Sequence, residues 1–162
     1  MEQKIIFATG NENKMKELRM ILADLGMTIQ SMKEAGIDVD VVEDGTTFEE
    51  NALIKAREIA KLAQDYIVLA DDSGLEIDYL NKEPGIYSAR YAGVDTSYDV
   101  KNNLLLERLK GVQDEKRTAR FVCAVAAVFP HLSVCPTKTI GQKQHWHGCL
   151  SDMRHRFLLS VR

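Results

Sequence analysis

No apolar stretch in this chain is long enough to cross a bilayer. The longest, such as Tyr66–Ala70 and Phe121–Phe129, fall far short of the roughly twenty residues that a spanning helix needs. The short run after Lys4 does not read as a secretory leader, so neither a membrane span nor export is expected. Three cysteines, Cys123, Cys135 and Cys149, make no even-numbered framework. A reducing, cytoplasmic setting is therefore expected, with no structural disulfide. Internal repeats, low-complexity tracts and a Pro- or Ser-rich linker are missing as well. So is Gly-x-x-x-x-Gly-Lys-Ser/Thr, which excludes the Walker A way of holding a nucleotide.

What is present is 162 residues of 45% hydrophobic content, enough for one core and too short for two ordinary domains. The expectation is a single domain spanning 1–162. Its net charge of −3 conceals an asymmetry. Residues 1–130 carry 16 basic and 23 acidic side chains, net −7, whereas residues 131–162 carry 5 and 1, net +4. The break falls at Pro130, and all four histidines and the single tryptophan, Trp146, lie beyond it. A body this acidic argues against nucleic acid as a partner.

Periodicity sketches the elements. Lys4–Thr9 is β-rich and meets the turn pair Gly10-Asn11, as a buried strand does when it ends in a loop. From Asn13, apolar Met15, Leu18, Leu22 and Leu25 recur at helical spacing, and Gly26 closes the segment. Thr47-Phe-Glu-Glu50 has the Thr-x-x-Glu form of a capping box, and Phe48, Ala52, Ala56, Ile59 and Ala63 line one helix face after it. Tyr66–Ala70 reads as a buried strand ending at Asp71-Asp72, and Leu75–Leu80 as another strand before Pro84-Gly85. Asp95 or Thr96 is placed to cap a further helix running through Leu109 and ended by Gly111. Arg117–Phe129 is a long strand. Interleaved strands and helices define an α/β class with a mixed, twisted sheet and flanking helices.

Three features bear on chemistry, and each also has a plain structural reading. Thr9-Gly-Asn-Glu-Asn-Lys14 collects backbone N–H groups, a hydroxyl, an amide and an ammonium group at a helix N-terminus, which suits a phosphate. It would also serve as a turn with a solvated lysine. Asp71-Asp72-Ser73-Gly74 sets two carboxylates where a strand runs out, and a strand sends neighbouring side chains to opposite faces. The plain reading is a polar turn. Val42-Glu43-Asp44-Gly45 offers a hard-cation ligand from elsewhere in the chain, or a solvated acidic loop. Mg²⁺ favours one or two carboxylates together with phosphate oxygens and water.

Four motifs stand in order: Thr9-Gly-Asn-x-x-Lys14, Thr47-Phe-x-Glu-Asn-Ala52, Ala70-Asp-Asp-Ser-Gly74 and Pro84-Gly-Ile-Tyr-Ser-Ala-Arg-Tyr91. Over residues 3–129 the chain thereby resembles the inosine/xanthosine triphosphate pyrophosphatases, the Ham1-like family. The resemblance implies two lobes around a central cleft and a homodimer. It also implies Mg²⁺-dependent cleavage of non-standard purine nucleoside triphosphates (ITP, dITP, XTP) to monophosphate and pyrophosphate. By match to the family's motifs, Thr9, Gly10, Asn11, Glu12, Asn13 and Lys14 hold the triphosphate, with Asn11 and Lys14 as the main side-chain contacts. Ser73 touches substrate, Glu43 and Asp72 bind the metal, and Asp72 accepts the proton of the attacking water. Arg90 fits a phosphate, a base or a neighbouring carboxylate and is kept out of the catalytic set.

The family's Gly-Phe-Gly-Tyr-Asp-Pro loop, following lysine and Ser-His-Arg segment, which grip the base, have no recognisable counterpart after Phe129-Pro130. The abrupt change of composition there points to a frameshift or sequencing error, and residues 131–162 are read as an atypical tail. The alternative function is a nucleotide-binding protein that lacks turnover. His145, His147 and Cys149 alternate and would share a strand face with Cys135 in reach, but the spacing matches no standard zinc module and reads as incidental.

Overall fold

The computed structural model describes residues 4–130 and 140–142. Cys135, His145, His147 and Cys149, considered above for zinc, lie outside these residues. Strand β1 (Lys4–Phe7) leads into helix α1 (Glu12–Ile21), a 3₁₀ turn (Ala23–Leu25) and strand β2 (Thr28–Ser31). Helix α2 (Phe48–Leu62) precedes strand β3 (Ile67–Ile77); helix α3 (Tyr98–Arg108) precedes strand β4 (Ala119–Val128), and β5 (Ile140–Gln142) follows. The sheet order is β2-β1-β3-β4-β5. β1 runs parallel to β2 and to β3, while β4 and β5 are antiparallel, so the sheet is mixed as expected. Parallel neighbours require long crossovers, and α1 and α2 lie in the two that join β1 to β2 and β2 to β3.

Among the described residues, 4–73, 123–130 and 140–142 form one compact unit, and Gly74–Val122 another. The first is built on β1, whose Ile5, Ile6 and Phe7 are all buried, and on the apolar face of α2. Phe48, Ala52, Ala56 and Ile59 of that face are at most 5% exposed, as the spacing requires. Thr47 caps α2 by accepting the Glu50 N–H at 3.1 Å. Glu50 returns its carboxylate to the N–H of Thr46 at 2.7 Å and to the Thr46 hydroxyl, which closes the capping box one residue early. At the other end of the unit's βαβ segment, Arg19 of α1 donates to the Ile29 carbonyl and pairs with Glu34, tying helix to strand.

The second unit centres on Leu75, Ile77, Leu80, Leu105 and Leu109, with Tyr91, Val112 and Ala119 packed around them. Arg120 bridges Glu76 and Asp78 at 2.7 and 2.8 Å, and Thr118 donates to Asp78 at 2.7 Å. The Pro84–Tyr91 motif forms a 3₁₀ segment, Gly85–Arg90, whose Ser88 hydroxyl donates to the Gly85 carbonyl and accepts the Leu75 N–H. Arg90 lies 4.9 Å from the centre of the Tyr87 ring, a cation–π arrangement.

Four sequence expectations need correction. Tyr66–Ala70 and Leu75–Leu80 are not two strands: β3 is continuous from Ile67 to Ile77, and only Asp78–Leu80 turns away. Asp71-Asp72-Ser73 stays extended because each polar side chain finds a partner, described below, so nothing forces a turn. Helix α3 is capped by Ser97, which accepts the Val100 N–H, and not by Asp95 or Thr96. The Thr96 hydroxyl donates instead to the Ala92 carbonyl at 2.6 Å. β1 ends at Phe7, two residues early, and α1 starts at Glu12 with Asn11 as its cap. β2 was not anticipated at all, since Thr28-Ile-Gln-Ser31 is too short and too polar to stand out.

Candidate active site

β3 organises the site by its pleat. Asp71 and Ser73 are two residues apart and share a face; Asp72 lies between them and points to the other. Lys14, from the first turn of α1, joins the first pair: Nζ lies 2.6 Å from Asp71 Oδ2 and donates to Ser73 Oγ at 3.2 Å. The Asp71 side chain is 7% exposed and that of Lys14 37%, so the pair is half sunk in the protein. Burial works against the lysine's charge, yet the Asp71 carboxylate outweighs it and the Lys14 pKa stands above the ordinary lysine value.

On the opposite face Asp72 meets the acidic loop and α2. Its Oδ2 accepts from Asn51 Nδ2 at 3.0 Å, and its Oδ1 from the Ser73 N–H at 2.9 Å. Burial raises the Asp72 pKa; the Asn51 hydrogen bond opposes this, and the negative charge of Glu43 adds to it. Glu43 is thus within electrostatic reach of Asp72. Lys55 of α2 stands beside both: Nζ is 2.6 Å from Glu43 Oε1 and donates to the Asp71 carbonyl at 3.0 Å. Asp44, next to Glu43, is exposed.

The loop before α1 differs from the expectation of free amides. Asn11 Oδ1 accepts the N–H groups of Asn13 and Lys14 at 2.9 and 3.3 Å, and Thr9 Oγ accepts that of Asn11 at 3.2 Å. In this conformation Asn11 acts as the helix cap, satisfying donors that would otherwise await an anion. Gly10, Glu12 and Asn13 are exposed, and Thr9 is half-buried. The structure therefore gathers Lys14 with Ser73 on one face of the strand and Asn51 with Asp72 on the other, and Lys55 holds Glu43 within electrostatic reach of Asp72.

Four participants escaped the sequence reading. Asn51 and Lys55 lie four residues apart on α2, and Asn51 sits on its buried face three residues from Phe48. A polar residue inside an apolar stripe was the available signal. Asp71 stands in the sequence reading as one of two adjacent carboxylates, with no role of its own. Cys123 of β4 completes the group. Burial pushes its thiol up to about 11, with the Asp71 charge adding, Lys14 opposing and Asp72 adding a little more. At pH 8 only about one thiol in a thousand is then ionised, and thiolate is the reactive form. In a Cys135→Ser/Cys149→Ser background, iodoacetamide at pH 8 should label Cys123 far more slowly in the native protein than in urea. Equal rates, followed by mass spectrometry, would show the thiol to be unprotected.

With this geometry in view, the relatives become informative. The profile of the Ham1 family matches residues 5–155, and the chain belongs to that family. The match runs past Phe129, where recognisable motifs stop, into the segment read as atypical. The chain is 53% identical over 131 residues to the dITP/XTP pyrophosphatase of Clostridium perfringens, covering 78% of this chain and 64% of that protein. It is 46% identical over 150 residues to the dITP/XTP pyrophosphatase of Bacillus subtilis, covering 93% and 73%. Among solved structures, the Staphylococcus aureus Ham1 protein superposes with a TM-score of 0.73 at 39% identity, over 85% of this chain and 67% of that one. A HAM1 protein from Coxiella burnetii gives 0.74 at 35% identity, over 85% and 68%. The chain thus spans a little under two thirds of the Clostridium perfringens relative's length.

Proposed function

We propose that the protein hydrolyses non-standard purine nucleoside triphosphates, ITP, dITP and XTP, to the monophosphate and pyrophosphate, and that it acts on them as a homodimer with Mg²⁺. The observation that carries this reading is the arrangement around β3. Two carboxylates from separate segments are held from α2, Glu43 by Lys55 and Asp72 by Asn51, with the charge of Glu43 felt at Asp72, and a lysine lies among hydrogen-bonding partners on the other face of the strand. Family membership and the names borne by the relatives support the substrate class.

The residues fit the metal. Both carboxylates are hard oxygen donors, and two of them match the number that Mg²⁺ takes from a protein when phosphate supplies the rest. The raised Asp72 pKa records a charge that is disfavoured as it stands, through burial and through Glu43, and a cation between them would relieve it. When bound, Mg²⁺ supplies neutralisation of phosphate oxygen charge. The chain's own groups do the remaining work. Lys14 leaves part of its pairing with Asp71 to meet the triphosphate, Ser73 offers its hydroxyl beside it, and Asn11 turns its amide NH₂ to a phosphate oxygen, releasing the N–H groups of Asn13 and Lys14 that its Oδ1 had capped. Asp72 takes the proton of the attacking water.

The test is pyrophosphate release. The protein with Mg²⁺ should release pyrophosphate from ITP, dITP or XTP much faster than from ATP or GTP. EDTA should stop the reaction and added Mg²⁺ restore it. Phosphate as the product, or turnover indifferent to EDTA, would refute the assignment.

A further inference from the structure

Asn51 has no exposed surface, although it is an amide on an otherwise apolar helix face. Both ends of that amide are committed. Oδ1 accepts the N–H of Gly45 at 2.9 Å, and Nδ2 donates to Asp72 Oδ2 at 3.0 Å. A backbone N–H can only donate, so Gly45 fixes the oxygen toward the acidic loop and leaves the NH₂ group for Asp72. One buried side chain therefore spans from a loop position two residues after Glu43 to the carboxylate of Asp72.

Gly45 is shaped to this contact. A Cβ built there would stand 2.7 Å from Asn51 Oδ1 and 2.8 Å from the Glu50 Cβ. The need for glycine is one of close approach, because only a residue without a side chain lets the loop backbone reach the amide. Lys55, one turn further along α2, holds Glu43 in its ion pair. The loop is thus pinned to α2 at two points, and α2 to Asp72 through Asn51.

We propose that Asn51 is a positioning residue, which with Gly45 as its counterpart sets the spacing of Glu43 and Asp72 so that the two carboxylates receive one divalent cation. This rests on the pyrophosphatase reading, since it assigns those carboxylates to the metal. Asn51 touches neither substrate nor metal in this scheme. It acts by removing the rotational freedom of Asp72 and by holding the loop that carries Glu43.

Mn²⁺ alone serves as the probe, its binding to the full chain followed by electron paramagnetic resonance, with thermal unfolding recorded for every variant. Wild type should bind Mn²⁺ and Asp72→Asn should lose it. Asn51→Ala, which removes both arms, and Gly45→Ala, which keeps the amide and displaces the loop, should each weaken Mn²⁺ binding about tenfold or more. A residue that served packing alone would lower the melting temperature and leave the affinity of the folded protein unchanged, and that result overturns the proposal. If Asn51→Ala fails to fold, Gly45→Ala decides the question. Wild type that binds no Mn²⁺, or binding that ignores Asp72→Asn, removes the metal assignment and this inference together. Binding that depends on Asp72 but not on Asn51 or Gly45 removes this inference alone.

Discussion

Asp72→Asn should stop pyrophosphate release while leaving the protein as stable as before, or more so. The two effects have one origin. Asp72 is a partly buried carboxylate held above its ordinary pKa by desolvation and by the neighbouring charge of Glu43, with only the Asn51 and Ser73 hydrogen bonds in opposition. Its ionised form is disfavoured where it stands, and a neutral amide of the same shape ends that cost. The amide oxygen can still accept from Asn51 or Ser73. Catalysis loses both a proton acceptor and a metal ligand, so a fall of at least about a thousandfold in rate is expected, within the range for a general base alone. Urea unfolding and a pyrophosphate assay on the same preparation check both signs. A variant that kept its activity would leave the mechanism without its base, and one that lost several kcal/mol would show Asp72 to be a structural anchor instead.

Lys14→Ala should have the opposite signature, with stability and substrate affinity falling together. Removing the ammonium leaves Asp71, 7% exposed, without its 2.6 Å partner. Stranding one member of a buried pair costs about 3–5 kcal/mol. Lys14 itself is 37% exposed, so solvent screens part of this and about 1–3 kcal/mol is the reasonable expectation. Adding Asp71→Asn should recover most of the loss, because no uncompensated charge is left. It should not recover affinity: half-saturation by ITP should stay about tenfold or more higher in both variants, the loss of one charge-assisted contact. The direction of the Lys14 shift fixes the pH range. Its pKa is raised in the folded state, so the pair's contribution is complete below the ordinary lysine value and disappears only as pH rises through the folded one. Between pH 6 and 9 the difference between wild type and Lys14→Ala should therefore be flat. A slope within that range would place another titrating group in the pair.

Much of this was legible in the residues, and what was not has identifiable causes. The α2 stripe and its Thr47 cap, β1, and the long β4 follow from period and capping chemistry that act locally. Gly26 closes its segment as expected, in the left-handed conformation at φ 61°. β3 was split because Asp-Asp-Ser-Gly resembles a turn when read alone. It is a strand because Lys14 and Asn51, fifty-seven and twenty-one residues away in sequence, satisfy its polar groups. Propensity sees neighbours in sequence, and tertiary partners overrule it. Asn51 and Lys55 were missed for the same reason: each acts across the fold, on a carboxylate no local pattern connects to it. Glu43 and Asp72 follow from the family's motifs, and the Lys55 and Asn51 contacts that hold them emerge only in three dimensions.

The pleat of β3 gives the site a parity. Odd positions 71 and 73 answer to the lysine, and the even position 72 answers to Asn51 of α2. Inserting or deleting a single residue upstream within this strand would exchange the two sets wholesale, delivering the wrong aspartate to each side, even if every side chain survived. The strand is locked against such a slip by its pairing with β1 through Ile67, Val68 and Leu69. Length changes are therefore expected to be tolerated in the loops flanking β3 and not within it, and anyone transplanting this site to another scaffold must copy odd and even as well as the residues themselves.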